Sequence, residues 1–497
     1  MGVSYFAVMK AVDHVTDEEQ LSSLIPYGEM VTLHMGSNTW VVLNSDRVVS
    51  ELISKRGKIT NERPHMPIAS DLISNGKRTV IRQESEWREG RRVMHQLLSG
   101  SNLKMYAAMQ ELESIDLLRR YLGEPDLWYA HNYRYATSVL YRVVMGYPLS
   151  KTKAELDDYQ RVTVEFVTSI NRSLIDFFPL LSKLPRFLQP WRKYWGDMGA
   201  FHRRVFQQWW EPVQKAVTKG SAPPSFVRDV LLHPETKYAG DDEEAMYLAT
   251  SVMAAGGDNT RMTINTFIMA MISRPEVQKR AQEEADHVCN DGDRLRLPRM
   301  TDLPEMPYVE AMIKEVLRWR PTVPVIPPHQ LTEDLVLDGY HIPAGTNFMI
   351  NSIALSKEFG DPDKFLPERW IEGSDGNAIP NFWGFGGGRR ICVGWKVAQQ
   401  ALFLAFARLL YCFDLTPVRI KSLFLLAYTV GFAWNTLTRH CCSRMAQLMI
   451  RVSTTKHSTS HFLSRLKYGV LGMHGLSNRR HPSMPDHSLR FNAFSRP

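Results

Sequence analysis

The sequence predicts a mainly α-helical protein with small β-hairpins. Between residues 84 and 320, long stretches have apolar residues at every third or fourth position, which is the period of an α-helix. Residues 28–48 instead alternate polar and β-branched side chains around a G-S-N-T turn, which indicates a β-hairpin. The composition, 44% hydrophobic and 23% charged over 497 residues, excludes wholesale disorder, collagen-like repeats and a polytopic membrane protein.

The remaining elements follow in order along the chain. Apolar periodicity predicts one long helix over Glu243–Ile272, and the S-R-P-E sequence at residues 273–276 has the form of a capping box that opens the next helix. A proline-rich turn then precedes β-branched runs, which predict strands over Leu335–Ile342 and Asn347–Ile353. The apolar stretch Ala398–Leu410 predicts a further helix.

The formal net charge of +8 is confined to one end of the chain. Val418–Pro497 holds 12 of the 60 Lys and Arg residues but only one of the 52 acidic residues, Asp486. The preceding 417 residues, with 48 basic and 51 acidic groups, are nearly neutral. Translated intron or shifted-frame sequence and a divergent extension are both open explanations for this tail, and a genuine basic tail could bind anionic lipid or nucleic acid.

Cysteine usage and hydropathy limit the possible compartments. The five cysteines show neither the spacing of a disulfide framework nor a C-x-x-C zinc pattern, which favours a reducing compartment. The first residues carry no clear signal peptide, and the longest apolar run, Ser422–Trp434, has 13 residues. A membrane span requires about 20. The chain as given therefore predicts no membrane anchor.

The most informative segment is F-G-G-G-R-R-I-C-V-G at residues 385–394. Its three glycines permit positive φ angles and a close approach to a flat ligand, and Cys392 follows them where a helix begins near Gly394. A cysteine at a helix N-terminus beside Arg389 and Arg390 is expected to favour the thiolate form. Such a thiolate suits a metal ligand, a nucleophile or a redox sensor, and the alternative is a buried structural cysteine.

This segment fits the pattern F-x-x-G-x-R-x-C-x-G at every fixed position, and here the chain resembles the cytochrome P-450 superfamily. The resemblance implies the cytochrome P-450 fold and haem b, iron protoporphyrin IX, as cofactor. It makes Cys392 the axial ligand of the haem iron and Arg390 a partner of a haem propionate, and Phe385 belongs to the same cofactor-binding loop. Thiolate ligation suits oxygen activation, because it pushes electron density onto the iron and favours O–O cleavage.

Two segments upstream carry the resemblance further. Glu315 and Arg318 are three residues apart on a predicted helix and can pair, which taken alone would be a surface ion pair worth under about 1 kcal/mol. The P-E-R-W sequence at residues 367–370 resembles a segment of the family that lies between this helix and the cysteine loop. The resemblance implies that Glu315, Arg318 and Arg369 form a buried network with a structural role.

Three more residues are candidate propionate ligands. Trp87 and Arg91 are one helical turn apart, so an indole N–H and a guanidinium can reach one anionic group from the same face. Without further context, this pair would be read as part of an amphipathic surface helix. The resemblance implies a W-x-x-x-R helix that binds a haem propionate. It also implies His329 as another donor, although a lone histidine is more often a satisfied polar residue.

The long predicted helix contains A-G-G-D-N-T at residues 255–260. Two interior glycines cost about 1 kcal/mol each, so two helices could meet at a G-G-D-N turn. The resemblance instead implies a weakened helix that makes room for dioxygen, with Asp258, Asn259 and Thr260 as catalytic residues and Asp258 gating protons. The family usually has Thr directly after the acid, where this chain has Asn259. A relay through Thr260 or water, a positioning role for Asn259, and chemistry without this protonation all remain open.

The resemblance implies a haem-dependent monooxygenase that activates dioxygen at a Cys-ligated iron and hydroxylates or oxidises a hydrophobic small molecule. The motifs are most similar to those of fungal members in secondary metabolism, such as O-methylsterigmatocystin oxidoreductase. Electrons would come from NADPH through a flavoprotein reductase, for which Arg389, Arg390 and Lys396 are candidate docking charges. No nucleic-acid partner is expected. One alternative is a haem-thiolate isomerase or dehydratase that does not use external dioxygen; another is a non-catalytic haem-binding protein with a disrupted C-terminus.

Two domains are predicted. Residues 1–417 would form the monooxygenase domain, without the N-terminal membrane anchor that is usual in the family, and residues 418–497 would form an anomalous basic tail. The resemblance implies the cytoplasmic face of the endoplasmic reticulum membrane. The chain as given has no clear anchor, which predicts a soluble protein.

Overall fold

The computed structural model describes residues 18–97, 102–170, 173–291, 294–371, 382–417 and 450–454. The fold described here is that of the compact unit Met1–Ser453. Helices dominate it, as the apolar periodicity predicted. In chain order they are α1 (Glu18–Ser23), α2 (Asp46–Val49), α3 (Glu84–Leu97), α4 (Asn102–Gly123), α5 (Trp128–Met145), α6 (Lys153–Ser169), α7 (Leu174–Phe177), α8 (Trp191–Thr218), α9 (Asp242–Ser273), α10 (Pro275–Cys289), α11 (Pro307–Trp319), α12 (Ser352–Lys357) and α13 (Trp395–Cys412).

The strands form small sheets. They are β1 (Met30–Met35), β2 (Asn38–Leu43), β3 (Asn290–Asp291), β4 (Arg294–Leu295), β5 (Val325–Gln330), β6 (Leu335–Leu337), β7 (Tyr340–Ile342), β8 (Asn347–Asn351), β9 (Phe413–Pro417) and β10 (Ile450–Thr454). The largest sheet has the order β1-β2-β8-β5. Within it, β1 and β2 form the predicted antiparallel hairpin, β2 pairs with β8 in parallel, and β5 pairs with β8 in antiparallel orientation.

Helix α9 occupies the core of the helical part. It packs against α5 and α13, and Phe267 of α9 stacks on Phe406 of α13 with ring centroids 3.9 Å apart. Apolar residues surround most of α13, so this helix is buried on nearly every side, as expected for a helix without a polar face. Because α13 directly follows the cysteine loop, its burial fixes the position of that loop.

The structure decides two local alternatives. Helix α9 runs without a break through residues 255–260, so the proposed turn between two helices is wrong. The predicted capping box is also wrong, because Arg274 is the N-cap of α10 and no side chain caps this helix. Ser273 is instead the last residue of α9, and its hydroxyl donates to the Ala270 carbonyl at 3.1 Å.

The predicted basic tail, residues 418–497, lies outside the described residues except for β10, which pairs with β9. Among the described helices, none is both long and apolar enough to cross a membrane.

Candidate functional site

The cysteine loop folds back on itself and against a neighbouring segment. The backbone N–H of Cys392 donates to the Phe385 carbonyl at 2.8 Å, which closes the loop. Gly386 and Gly388 have φ angles of +72° and +60°, which glycine adopts without strain. A Cβ atom at Gly388 would also lie 2.2 Å from the Ile53 carbonyl oxygen. The glycines are therefore required both by the loop conformation and by its close contact with residue 53.

Cys392 combines an interior position with an accessible surface. It precedes the N-cap of α13, Gly394, and its side chain remains exposed although protein surrounds it. Its neighbour Val393 packs against the hydrophobic cluster that contains Ala254 of α9. These features indicate that the thiol lies on the wall of a cleft in the helical core.

The electrostatic surroundings of Cys392 differ from the prediction. Burial raises the pKa of the thiol, and the opposing effects of the Gly394 backbone N–H and the Arg91 guanidinium are smaller. The expectation that Arg389 and Arg390 favour the thiolate is therefore wrong, because burial outweighs the surrounding positive charge. A bound metal cation would reverse this preference, since a coordinating thiol loses its proton.

Arg390 carries a buried polar atom without a protein partner. Its Nε donates to the Asn61 carbonyl and its Nη2 to the Arg82 carbonyl, both at 3.0 Å. Its Nη1 is buried and has no hydrogen-bond partner among the described residues. Burial lowers the pKa of this guanidinium to about 10. A buried cationic donor without an acceptor is costly, so this atom fits an anionic group such as a carboxylate of a cofactor.

The Trp87 ring lies close to two arginines. The guanidinium carbon of Arg390 is 4.2 Å from the Trp87 ring centroid, and that of Arg91 is 5.7 Å away. Burial lowers the pKa of Arg91, whereas the nearby Cys392 raises it. The structure thus brings together Trp87, Arg91, Arg390 and Cys392, as a shared cofactor site requires.

His329 lies buried in β5, with its Nδ1 2.8 Å from the Thr60 carbonyl. Burial, reinforced by Arg63, lowers the pKa of His329 well below its usual range. In the neutral ring the Nδ1 hydrogen goes to Thr60, so Nε2 carries none and cannot donate. The predicted donation to a propionate therefore requires the imidazolium form, which an adjacent anion would favour.

Arg63 was missed by the sequence analysis. It is buried; its Nη1 donates to the carbonyls of Pro327 and Pro328, and its Nε donates to the Val80 carbonyl at 3.2 Å. Arg63 thus ties the segment before α3 to β5. Nothing in its local sequence marks it, because the two proline carbonyls that it binds in β5 lie more than 260 residues away in the chain.

One face of α9 is open at its middle. Ala255 and Asn259, one helical turn apart, are exposed in a helix that is otherwise largely buried. The Nδ2 of Asn259 donates to the Ala255 carbonyl at 2.9 Å, which fixes the amide along the helix. Thr260 is buried, with 7% of its surface exposed, so it does not share this open face.

The glycine pair in α9 has a packing role. A Cβ atom at Gly256 would lie 2.3 Å from Leu140 Cδ1, and one at Gly257 would lie 3.2 Å from Thr137 Oγ1. Both contacts are with α5, so the glycines allow the two helices to approach closely. This packing against α5 is a reason for the two glycines that is separate from the predicted one, room for dioxygen.

Asp258 belongs to a polar chain on another side of α9. Its Oδ1 accepts hydrogen bonds from Nε and Nη2 of Arg261 at 3.0 and 2.6 Å. Arg261 also donates to the hydroxyl of Tyr129 in α5. The Arg261 side chain is nearly buried, with 7% exposed, whereas 18% of the Asp258 side chain is exposed. The carboxylate is therefore positioned between the helix core and solvent.

Glu315 is the centre of a buried network. Its two carboxylate oxygens accept from Nε and Nη2 of Arg318 at 2.9 and 2.8 Å, and Oε1 accepts from Nε of Arg369 at 3.2 Å. The indole N–H of Trp370 adds a bond of 2.8 Å and the Leu366 N–H another of 2.8 Å. The remaining guanidinium nitrogen of Arg318, Nη1, donates to the carbonyls of Ser356 and Pro362. This cluster ties α11 to the segment before the cysteine loop.

The donor set fits an iron porphyrin. A cysteine sulfur is a ligand that iron accepts, and the unpartnered Arg390 donor, with Arg91 and Trp87 beside it, suits the carboxylates of such a cofactor. Fold and site together define a haem protein.

The sequence comparisons agree. The "Cytochrome P450" family profile matches residues 25–436, and the chain belongs to this family. Among its relatives is cytochrome P450 monooxygenase virE of Hypocrea virens, 33% identical over 406 residues, which are 78% of this chain and 73% of the relative. Another is cytochrome P450 monooxygenase fogE of Aspergillus ruber, 32% identical over 408 residues, 78% of this chain and 74% of the relative. The predicted superfamily is confirmed, and the chain is a cytochrome P450 monooxygenase with haem as its cofactor.

Solved structures show the same fold. A zebrafish cytochrome P450 solved with abiraterone has a TM-score of 0.64 at 24% identity, covering 80% of this chain and 92% of that one. A second zebrafish structure, solved with progesterone, has a TM-score of 0.65 at 23% identity, covering 80% and 93%. The predicted cytochrome P-450 fold is confirmed.

Proposed function

We propose that Cys392 is the axial thiolate ligand of the haem iron and that the enzyme oxidises a hydrophobic small molecule of secondary metabolism. The observation that carries this proposal is the closed glycine loop that presents Cys392 beside Arg91, with the unpartnered Arg390 donor nearby. When bound, the haem supplies dioxygen activation and insertion of one oxygen atom into the substrate.

The protein's own groups hold and orient this cofactor. Arg390 and Arg91 supply positive charge for the propionates, and contact with the Trp87 ring restricts both guanidinium groups. The buried network of Glu315, Arg318 and Arg369 keeps the segment before the loop in position. The two arginines and Trp87 therefore bind the cofactor, whereas the Glu315 network supports the loop.

Asp258 is the proposed proton gate, and Asn259 orients groups on the open face of α9. The Asp258 carboxylate reaches solvent in part, which suits a group that passes protons between solvent and the open face of α9, whereas its ion pair with Arg261 is a supporting contact. The Asn259 amide is tied to the Ala255 carbonyl and carries no transferable proton, which favours a positioning role.

Turnover of the haem-loaded protein tests the proposed reaction. We expect product formation from hydrophobic substrates to require dioxygen, NADPH and a flavoprotein reductase together. Oxygen from ¹⁸O₂ should appear in the product. Conversion that proceeds without dioxygen and NADPH would contradict the proposal and support the isomerase or dehydratase alternative, for which Asn259 is the motivating residue.

Replacement of Asp258 by Asn should lower kcat by about 100-fold, because general acid–base groups contribute roughly this factor. Arg261→Gln is the matched control, since it breaks the same ion pair but keeps the carboxylate. We expect Arg261→Gln to retain most of the rate. The kcat of each variant is measured by steady-state kinetics in light and in heavy water. An equal loss of kcat in Asp258→Asn and Arg261→Gln would show that Asp258 has only a structural role.

The reductase would dock on the side of the cysteine loop. Of the three charges suggested for docking, Arg389 and Lys396 are exposed, whereas Arg390 is largely enclosed and bound to backbone carbonyls. Of these three side chains, we therefore propose only Arg389 and Lys396 as contacts for the reductase. Charge reversal at Lys396 should raise the KM for the reductase and leave the haem spectrum unchanged.

Association with the endoplasmic reticulum membrane is part of the proposal, and an exposed apolar segment between α7 and α8 supports it. Leu180 and Phe187 are 71% and 83% exposed, and Lys183 and Arg186 stand exposed beside them. Apolar and basic side chains together bind the surface of an anionic bilayer. Vesicle flotation checks this: Phe187→Asp should reduce the bound fraction.

A further inference from the structure

Three side chains from three parts of the chain form a hydrogen-bonded row inside the helical part. Arg78 lies in the segment before α3, His202 in α8 and Glu165 in α6. Arg78 Nη2 is 3.3 Å from His202 Nδ1, and His202 Nε2 is 3.0 Å from Glu165 Oε2. The His202 side chain is 0% exposed and that of Glu165 15%. His202 therefore links residues 74–82, which we call the latch segment, to both α6 and α8.

The partners of His202 decide where its hydrogen lies. A guanidinium only donates hydrogen bonds, so Nδ1 accepts from Arg78 and carries no hydrogen. Nε2 then carries the single hydrogen of the neutral ring and donates it to Glu165. A proton on Nδ1 would replace the hydrogen bond to Arg78 by a contact between two cations. The row therefore forms only with a neutral imidazole.

The charged groups around His202 do not favour its protonation in the closed row. The carboxylate that contacts it, Glu165, also accepts from Arg161 Nε at 2.7 Å, so its charge is shared. Arg78 approaches the other ring nitrogen. Burial lowers the pKa of His202 to about 3, and the positive charges of Arg78 and Arg161 add to this effect. His202 thus stays neutral at physiological pH while the latch segment is closed.

Arg78 is a buried cation, and no carboxylate in the described part of the chain pairs with it. It is 2% exposed, and its guanidinium carbon lies 4.0 and 5.0 Å from the ring centroids of Phe166 and Phe206. The charged form is opposed by burial and favoured by the hydroxyls of Tyr159 and Tyr247, which lower and raise its pKa respectively. A cation without a carboxylate partner is better solvated in water, which lowers the cost of opening the latch segment.

Ion pairs with the start of α9 are further contacts of the latch segment. Lys77 Nζ is 2.7 Å from Asp241 Oδ2 and 3.3 Å from Glu243 Oε2. Hydrogen bonding to Lys77 lowers the pKa of Asp241. Burial raises the pKa of Glu243, but hydrogen bonds from Arg203 and Lys77 outweigh it and lower the pKa overall. Both carboxylates therefore stay charged in weak acid, which acts on this segment through His202 instead.

The last residue of the latch segment contacts the proposed cofactor site. The Arg82 carbonyl accepts from Arg390 Nη2 at 3.0 Å, and the Arg82 side chain pairs with Glu244 of α9. Opening of the latch segment would thus release a backbone contact of Arg390, the proposed partner of a haem propionate.

We propose that His202 is a proton-linked latch: when Arg78 leaves it, Nδ1 takes up one proton from solvent, so acid favours the open latch segment and loosens the hold on Arg390. The freed imidazole regains its ordinary pKa near 6.5. The stabilisation of the closed form is therefore complete above about pH 6.5 and is lost as the pH falls from there towards about 3. The consequence for Arg390 rests on its proposed role in haem binding.

Hydrogen exchange of the haem-loaded protein tests the latch. Lys77 and Ile81 donate their N–H groups to the Ser74 and Arg78 carbonyls at 2.8 and 3.2 Å, so these amides exchange when the latch segment opens. Their exchange rates, divided by the intrinsic rate at each pH, should rise about tenfold from about pH 7.5 to about pH 5.5, because one proton binds on opening. The absence of any rise in the wild type would overturn the proposal.

His202→Gln separates the titration of this residue from its packing. The glutamine amide offers an acceptor to Arg78 and a donor to Glu165 but takes up no proton, so the corrected exchange rates should change less than about twofold over the same range. His233→Gln is the matched control, because His233 is exposed, and it should behave as the wild type does. An equal rise in the wild type and His202→Gln would assign the effect to another group, such as Asp176, and contradict the latch.

Transfer of haem to an excess of apomyoglobin tests the link to Arg390. The wild type and His202→Gln should release haem at equal rates at about pH 7.5, and the wild type up to about tenfold faster at about pH 5.5. Equal rates at both pH values would refute this link. The exchange measurement needs no assumption about the haem ligand, so failure of the latch is distinguishable from failure of the proposed thiolate ligation, which absorption spectroscopy reports.

Discussion

Replacement of Cys392 by Ala should abolish product formation and the thiolate signature in the absorption spectrum of the haem. The loop geometry holds one sulfur at the cleft, and no other described cysteine is accessible, since Cys289 and Cys412 are buried. Without that sulfur the iron loses the electron donation that favours O–O cleavage. Turnover and the spectrum of the purified variant measure the two losses.

Two further variants make this experiment specific. Cys412→Ala, at the end of the helix that Cys392 precedes, should retain both spectrum and activity. Cys392→His should retain iron ligation through an imidazole but lose turnover, because imidazole donates less electron density than thiolate. A Cys392→Ala protein that still showed thiolate ligation would exclude Cys392 as the ligand.

Glu315→Gln should be the most destabilising of the supporting changes. The Glu315 side chain is 0% exposed and Arg318 1%, so the substitution leaves two arginines facing a neutral amide. Breaking a buried ion pair costs about 3–5 kcal/mol. We expect the thermal unfolding midpoint to fall by about 3–6 °C and the haem-loaded fraction to decrease. Calorimetry and the ratio of haem to protein absorbance measure these effects.

The neighbouring acid supplies the control. Glu368 pairs with Arg280 at 2.6 Å, but these side chains are 33% and 56% exposed, so Glu368→Gln should cost under about 1 kcal/mol. If Glu315→Gln were equally mild, the network would not be a structural support of the cysteine loop.

The features that were predictable from the sequence are those set by local patterns. The period of apolar residues predicted α9, and the alternation around Gly36 and Ser37 predicted the β1–β2 hairpin. The glycine loop before Cys392 was predictable because a backbone with positive φ and a close contact at Gly388 admit only glycine. The Glu315–Arg318 pair could be predicted because residues i and i+3 share a helix face.

Contacts between residues that are distant in the chain could not be predicted from local sequence patterns. Arg63 binds carbonyls of β5, and no local spacing indicates this contact. The raised pKa of Cys392 was also unpredictable, because burial depends on how much protein packs around the loop. The role of Gly256 and Gly257 became visible only with α5 in place.

The CO-difference spectrum of the reduced wild-type protein tests the central claim most directly. Cys392 as a thiolate ligand predicts the strongly red-shifted Soret band of a CO adduct opposite sulfur. A band at the shorter wavelength of a histidine-ligated or ligand-free haem, in protein that carries haem and retains its fold, would contradict the claim.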